Sequence, residues 1–383
     1  MLVIACAFAA CSRPVPRTVQ LESLAIIGAG LGGEFAGGDA GPPCAVAALG
    51  RTVVLGWRAA LHGHEVVACD PRGIPRWGHH HGPQLSEVRS LAADGGTVFV
   101  LADADGTKLY RLDAATGAPL PWEGRGERVL AITSLWGDDT TKIDHADWVS
   151  AGNGRLYVTF SAEGFVAVID AKTGAYVMTL TAPQPGQMAF ATTPMRDPQT
   201  GTERPIDFGL AAISGHGLAY FFMEREPPWV MLNATRWIEE DEHITALALT
   251  GDAMKTFKLT VYTALGAPHQ QVQLRPADAV EGYAVSVGKR GGRTEPGPWD
   301  PEGLRDIRAL AVDATGRLWV AEGDEQFGRF TGWNTEGKQG ELLPYNCHAG
   351  EENLAVPSIL PLIMDGGTYG ARTRNLYRDR VAL

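Results

Sequence analysis

Cysteine is scarce in this sequence, and the five that occur show no C-x-x-C spacing. Structural zinc sites and disulfide frameworks depend on closely spaced or paired cysteines, so we expect neither here. Cys44 and Cys69 could pair if neighbouring strands bring them together, but two buried thiols are the favoured state.

Positive charge is also in deficit, because 33 Lys and Arg stand against 44 Asp and Glu and the formal net charge is −11. Nucleic-acid binding depends on clustered Lys and Arg that contact phosphates. The one basic cluster, G-K-R-G-G-R at 288–293, is too small to reverse this balance. We therefore expect no nucleic-acid partner.

No apolar run of 18 residues occurs, so we expect no membrane span. The first eleven residues, M-L-V-I-A-C-A-F-A-A-C, resemble a bacterial lipoprotein signal, in which small residues precede a cysteine that becomes lipidated. The run lacks the Lys or Arg that normally precedes an export signal. The resemblance implies a lipid anchor at Cys11 and an extracytoplasmic protein that is periplasmic, lipid-anchored or secreted.

Gly28, Gly30 and Gly33 spell G-x-G-x-x-G after a short apolar run. A dinucleotide-binding loop needs a helix directly after the glycines, because the helix N-terminus holds the pyrophosphate. The following residues, E-F-A-G-G-D-A-G-P-P-C, contain Gly and Pro, which cost a helix about 1 and about 3 kcal/mol each. We therefore predict a glycine-rich loop after an early strand and no nicotinamide or flavin cofactor.

A repeated unit predicts the fold. Each copy has a β-rich run, a short turn, a second run and a D-x-x-T-G turn, in which Asp bonds backbone N–H groups and Gly supplies a positive φ. The clearest copies are 97–122 and 155–180, with others at 52–78 and 317–343. Apolar segments precede the copies, so each unit holds three or four antiparallel strands. Radial repetition into a β-propeller is the usual way to bury such sheets.

We predict an all-β protein, a single β-propeller of four-stranded antiparallel blades over residues 19–344. Six blades fit copies near 44–80, 86–124, 145–182, 208–238, 243–288 and 305–343, and seven is the alternative. Residues 1–18 are assigned to an export signal and tether, and 345–383 to an irregular tail. The segment V-Q-L-E-S-L-A-I-I-G, 19–28, is a candidate for the strand that closes the ring.

Different parts of the chain resemble two propeller families. Residues 288–323 look like an NHL repeat, and the match is carried by Gly288, Gly291, Gly297, Pro301, Ala311, Val312, Asp313, Gly316, Leu318, Trp319, Val320 and Glu322. The earlier units are similar to the quinoprotein (PQQ-type) repeat, in which A-x-D-x-x-T-G-x-x-x-W pins a Trp between blades. Asp113, Thr116, Gly117 and Trp122 fit that pattern with one residue more. The mixture implies the propeller fold and transfers no particular function.

Candidate functional residues lie on the loops that lead into the innermost strands, around the central channel. The ligand-binding candidates are Glu87, Arg89, Asp144, His145, His216, Asp306 and Arg308. Glu87 and Arg89 match Asp306 and Arg308 in the repeat, and side chains two apart point to one side of a strand. These pairs predict either capture of an anion or polar ligand, or ion pairs that hold the rim together.

No nucleophile, metalloprotease or phosphate-loop motif occurs in the sequence. We expect a monomeric, non-enzymatic, exported propeller that binds a protein, glycan or small polar ligand through its loops or channel. The alternative is an enzyme similar to the propeller lactonases or streptogramin-type lyases, with a divalent metal such as calcium or zinc in the channel. Arg89 and Arg308 favour binding, because positive charge opposes the gathering of a cation.

Overall fold

The computed structural model describes residues 17–19, 25–27, 43–58, 64–71, 75–80, 85, 87–103, 106–136, 145–196, 203–213, 217–223, 230–235, 243–250, 260–276, 285–293, 303–323 and 329–334. Over these ranges the secondary structure consists of β-strands and one 3-10 helix, Ile132–Trp136, with no α-helix. No described segment is a helix long and apolar enough to cross a membrane. The prediction of an all-β protein is confirmed.

Twenty-five strands follow one another along the described chain. They are β1 (Arg17–Val19), β2 (Ala25–Ile27), β3 (Pro43–Leu49), β4 (Thr52–Trp57), β5 (His64–Cys69), β6 (Pro75–His80), β7 (Val88–Asp94), β8 (Thr97–Asp103), β9 (Thr107–Asp113), β10 (Val129–Ala131), β11 (Trp148–Gly152), β12 (Arg155–Phe160), β13 (Phe165–Asp170), β14 (Tyr176–Thr181), β15 (Pro185–Arg196), β16 (Glu203–Ile213), β17 (Gly217–Met223), β18 (Val230–Thr235), β19 (Ile244–Thr250), β20 (Thr260–Leu265), β21 (Gln271–Pro276), β22 (Val285–Val287), β23 (Ile307–Val312), β24 (Arg317–Glu322) and β25 (Arg329–Asn334).

The strands form small sheets in which consecutive strands pair antiparallel. Four sheets are β3–β6, β7–β10, β11–β14 and β15–β18, and a fifth joins β23–β25 to β2, each with four strands. The remaining sheet, β19–β22, has five strands, because β1 adds to β22 in parallel. The described chain therefore holds five four-stranded antiparallel sheets, fewer than the six or seven blades of that kind that the sequence predicts.

The first strands of the sheets contact one another in a closed circuit. β3 contacts β7, β7 contacts β11, β11 contacts β15, β15 contacts β19, β19 contacts β23, and β23 contacts β3. This arrangement is a β-propeller, in which the first strand of each sheet surrounds the centre of the ring. We call the end of the ring at which these first strands begin the upper rim.

The N-terminal segment closes the ring. β2 pairs antiparallel with β25, with Ile26 opposite Thr331, so the last sheet takes its fourth strand from the start of the chain. The prediction that 19–28 supplies this strand is confirmed. Arg17 is the first described residue and lies in a strand, within the range 1–18 that was predicted to hold the export signal and tether. The G-x-G-x-x-G loop, Cys11 and the tail 345–383 lie outside the described residues.

The core lies between neighbouring sheets rather than within one layer. All six residues of β4 are buried, because both faces of the strand are covered by adjacent sheets. Val54 of β4 packs in one cluster with Val100 of β8 and Tyr110 of β9. Cys69 is buried and Cys44 partly buried, and the Cys44 thiol donates to the Val88 carbonyl at 3.0 Å.

The D-x-x-T-G turns form as predicted and dock a Trp from the preceding sheet. Asp113 Oδ1 accepts hydrogen bonds from the Thr116 N–H at 2.8 Å and hydroxyl at 2.7 Å. Gly117 has φ 73°, and a Cβ there would lie 2.6 Å from the Trp77 ring. Trp77 Nε1 donates to the Ala114 carbonyl at 2.9 Å. The glycine therefore provides the space that the Trp fills.

Candidate functional site

A β-bulge recurs near the start of the first strands. In the pairing of the first strand with the second, one residue has no partner on the opposite strand: Cys44 in β3, Arg89 in β7, Thr245 in β19 and Arg308 in β23. In β15 the register shifts between Pro185 and Met188. A bulged residue is unpaired in the ladder, and bulges often re-aim a side chain beside a functional site. The repeat therefore places a bulge from each of these sheets at the upper rim.

In three sheets, the residue two positions before the bulge has a left-handed backbone conformation. Glu87, Gln184 and Asp306 have φ values of 59°, 42° and 48°, which residues other than glycine rarely adopt. The carbonyl of Glu87 accepts from the Asp103 N–H at 3.0 Å, and that of Asp306 accepts from the Gly323 N–H at 2.8 Å. Glu87 and Asp306 thus occupy equivalent positions, with the same backbone contact to the second strand.

A cavity of about 520 Å³ opens at the upper rim. It is bounded by the sheets that begin with β11, β15, β19 and β23. Its polar lining includes Ser161, Gln184, Gln187, His243 and Thr245, together with Asp306 and Arg308. Half-buried Trp148 forms part of the wall, and the buried side chains of Ile244 and Ile307 also line the cavity.

Hydrogen bonds between sheets fix the cavity wall. Gln187 Oε1 accepts from the Leu247 N–H at 3.0 Å, which ties β15 to β19. The Ser161 hydroxyl donates to the Pro185 carbonyl at 2.6 Å, which ties the β12–β13 turn to the start of β15. The wall is therefore held by side-chain contacts as well as by strand pairing, which favours a preformed cavity.

Asp306 and Arg308 form a fixed ion pair in the lining. Arg308 Nε and Nη2 donate to Asp306 Oδ2 at 3.0 and 2.7 Å. The Asp306 N–H donates to Gln270 Oε1 of the neighbouring sheet at 2.9 Å. Because the backbone of Asp306 is bonded on both sides, its carboxylate has a defined position although the side chain is 38% exposed.

A buried ion cluster anchors the segment that carries Asp306. Glu322 is fully buried and accepts from Arg329 Nε at 2.6 Å and from Arg293 Nη2 at 2.9 Å. The same carboxylate accepts from the Arg305 N–H at 2.9 Å, and Arg329 Nη2 donates to the Gly303 carbonyl at 2.9 Å. Glu322 of the NHL-like motif is therefore a support for residues 303–306.

The two Arg residues that match in the repeat have different partners. Arg89 Nε donates to Asp103 Oδ2 at 3.1 Å, across the β7–β8 hairpin. Gly323 stands at the position equivalent to Asp103, and a Cβ on it would lie 2.5 Å from Arg308 Cγ. Without an acid there, Arg308 pairs with Asp306 instead. Arg308 lines the cavity, whereas Arg89 is not part of its lining.

The structure brings together some of the candidate residues and separates others. Asp306 and Arg308 share the cavity, while Glu87, Arg89 and His145 lie on the upper rim outside its lining. His145 Nδ1 lies 3.8 Å from Asp103 Oδ2, beside Arg89. Asp144 and His216 lie outside the described residues.

Sequence reasoning missed most of the lining. Gln184, Gln187, His243, Thr245 and Trp148 were not candidates. His243 directly precedes β19, as Glu87 precedes β7, so alignment of the strand starts could have found it. The fifth unit lacks a clear D-x-x-T-G element, which removed the reference point for that alignment. In the part of the chain that the structure describes, no group of three or more His, Cys, Asp or Glu could hold a metal ion.

The chain resembles solved structures at low sequence identity. No protein-family model matches the chain, and no curated protein matches it. It is similar to a solved protein of unknown function from Bacteroides thetaiotaomicron, with 11% identity, TM-score 0.50 and coverage of 81% of this chain and 75% of that one. The WD40 β-propeller domain of Doa1 matches with 10% identity, TM-score 0.46 and coverage of 82% and 96%. Myxococcus xanthus glutaminyl cyclase matches with 11% identity, TM-score 0.38 and coverage of 76% and 97%. At 11% identity the likeness to the Bacteroides protein concerns the fold alone.

Proposed function

We propose that this protein is a non-enzymatic β-propeller that binds a small polar ligand in the cavity at the upper rim. The observation that carries the proposal is the cavity itself, whose volume of about 520 Å³ is typical of ligand sites. Four sheets contribute to it, and its polar groups are held by bonds between sheets and by the anchored segment 303–306. Preorganised polar groups reduce the cost of ordering the site when a ligand binds.

Binding is favoured over catalysis by the chemistry of the lining. The Asp306 carboxylate is ion-paired with the Arg308 guanidinium, which occupies Oδ2 with two hydrogen bonds. The alternative, a lactonase-like or lyase-like enzyme with calcium or zinc, needs several acidic or His side chains to converge. The described lining supplies one carboxylate, Asp306, and one imidazole, His243, with a guanidinium bonded to the carboxylate.

The remaining parts of the proposal rest on sequence and fold. Export to an extracytoplasmic compartment with a lipid at Cys11 rests on the N-terminal residues alone. The five-stranded sheet is proposed to serve as a sixth blade, since β19 contacts both β15 and β23. A protein or glycan partner on the rim loops of a monomer is compatible with the net charge of −11.

A blocked cavity tests the proposal. Thr245→Tyr adds a ring to a bulged residue of the lining, and Thr250→Tyr is its control at the other end of β19, where Thr250 is half-buried like Thr245. Melting temperatures are measured with a panel of sugars, amino acids and carboxylic acids, since a ligand at about 100 times its Kd adds about 2.7 kcal/mol of stability. We expect at least one compound to stabilise the wild type and Thr250→Tyr but not Thr245→Tyr. Equal stabilisation of both variants, or none in any protein, would contradict the proposal.

A further inference from the structure

We infer that the cavity at the upper rim binds an uncharged carbohydrate, with adjacent hydroxyls on the Asp306–Arg308 pair and a sugar ring against Trp148. This inference rests on the proposed function and names the ligand class for the same site. It differs from the capture of an anion that the matched Arg residues suggest from sequence.

The charge of the cavity excludes selection for an ion. Among the described residues that line it, Asp306 and Arg308 are the charged side chains, and each neutralises the other. The whole protein carries a formal net charge of −11, which disfavours the approach of an anion. A charged ligand would compete with Asp306 or Arg308 for its ion-pair partner, whereas a neutral ligand leaves the ion pair intact.

The pair offers both an acceptor and a donor. Both of its hydrogen bonds use Asp306 Oδ2, so Oδ1 and Arg308 Nη1 have no hydrogen-bond partner within the described residues. Arg308 and Asp306 remain 50% and 38% exposed, so both can reach a ligand. A hydroxyl both donates and accepts hydrogen bonds. Two adjacent hydroxyls of a sugar therefore match the pair, one donating to Oδ1 and the other accepting from Nη1.

The backbone presents this pair in a fixed orientation. Asp306 is left-handed at φ 48°, with its N–H on Gln270 and its carbonyl on Gly323. Gly323 lets the Arg308 stem lie against the second strand, where a Cβ would clash with it. The equivalent Arg89 is turned to Asp103 instead. The conformation that suits a diol therefore occurs in the sheet that borders the cavity.

The rest of the lining suits the same ligand class. Trp148 lies in the β11 sheet, three sheets around the ring from the β23 sheet that carries Arg308, so it faces that sheet across the cavity. An aromatic face carries partial negative charge and attracts the polarised C–H groups of a sugar ring. Gln184 is exposed in the lining, and its amide both donates and accepts hydrogen bonds. A site with one aromatic wall and several uncharged polar groups fits a polyhydroxylated ring.

The test compares neutral and charged probes on the purified full chain. An array of immobilised neutral and acidic oligosaccharides identifies binders, and calorimetry then measures Kd for neutral hits and for glucuronate, citrate and inorganic phosphate. The variants are Arg308→Met and Trp148→Ala, with Trp148→Phe as the conservative change. Arg89→Met is the matched control, because Arg89 is also a bulged, ion-paired residue of the upper rim but does not line the cavity. Circular dichroism verifies that each variant folds.

We expect a neutral saccharide to bind saturably, with Kd raised about tenfold by Arg308→Met, as for loss of a hydrogen bond to a charged group. Arg89→Met should leave Kd within about twofold, since surface changes away from a site have small effects. Trp148→Ala should weaken binding more than Trp148→Phe. Binding of citrate, phosphate or glucuronate alone, lost in Arg308→Met, would overturn the carbohydrate inference and leave the binding function standing. No binding by any probe, or neutral binding unchanged in Arg308→Met, would overturn the inference as well.

Discussion

At the scale of single residues, Asp113 and Asp170 show how one carboxylate closes a turn. The Thr116 hydroxyl, followed by the Thr116 and Ala115 N–H groups, favours the charged form and lowers the pKa of Asp113. Burial raises the pKa of Asp170, but hydrogen bonds from Thr173 and Lys172 and the charge of Lys172 outweigh it, so the net pKa is lowered. A carboxylate with a lowered pKa stabilises the folded state.

The pH dependence of stability follows from that shift. Because the folded pKa of Asp113 is lower than its unfolded value of about 3.9, its contribution is fully present above that pH and is lost as pH falls through the folded value. Asp113→Asn should therefore lower the free energy of unfolding at pH 7 by less than about 1 kcal/mol, because solvent screens this exposed turn. Urea unfolding from pH 7 to acid pH measures the difference between the two proteins. A difference that stays constant down to the lowest pH would contradict this account.

Some residue roles could be predicted from sequence and others could not. The turn role of Asp113 is local, since its partners lie within three residues. Glu322 was recognised as part of a motif, but its partners Arg329 and Arg293 lie 7 and 29 residues away in sequence. The different orientations of Arg89 and Arg308 depend on Asp103, the last residue of β8, and on Gly323, which directly follows β24. Pairings across strands are set by register, which the repeat alone does not give.

At the scale of elements, neighbouring sheets are joined where a D-x-x-T-G turn packs against a Trp of the preceding sheet. Gly117 and Gly124 both have a left-handed backbone, with φ values of 73° and 78°. A Cβ at Gly117 would press against the Trp77 ring, whereas a Cβ at Gly124 would meet no atom within 4 Å. Gly124→Ala should cost about 1–2 kcal/mol from the backbone alone. Gly117→Ala should cost about 1–3 kcal/mol more, because the Trp must move. Denaturant unfolding of both variants measures this difference, and equal costs would show that the Trp contact between sheets contributes little.

The elements that sequence predicts best are those that carry the repeated turn. The sheets β7–β10 and β11–β14 have it, and their strand positions follow from the 97–122 and 155–180 copies. The β15–β18 sheet has strands of up to 12 residues, and the fourth unit was placed at 208–238, so its start at Pro185 was not predicted. The cavity is bounded by the β11, β15, β19 and β23 sheets, and in the β15 and β19 sheets the repeat is least regular. The site was therefore harder to predict than the fold.

At the scale of the whole molecule, the ring depends on contacts that no single repeat contains. β2 completes the last sheet and β1 adds to the sheet before it, so the first described residues join two sheets. The cavity likewise requires four sheets at once. A site of this kind exists only in the closed ring, which is why neither its lining nor its charge balance could be derived from one repeat.

A crystal structure of the protein with a saturating neutral saccharide shows directly whether the cavity is the binding site. We expect ligand density in the cavity that the β11, β15, β19 and β23 sheets bound, with hydroxyls within hydrogen-bond distance of Asp306 and Arg308 and a ring against Trp148. The Asp306–Arg308 pair should remain intact. Ligand density beside Arg89 and Asp103, or on the outer edges of the sheets with an unoccupied cavity, would contradict it.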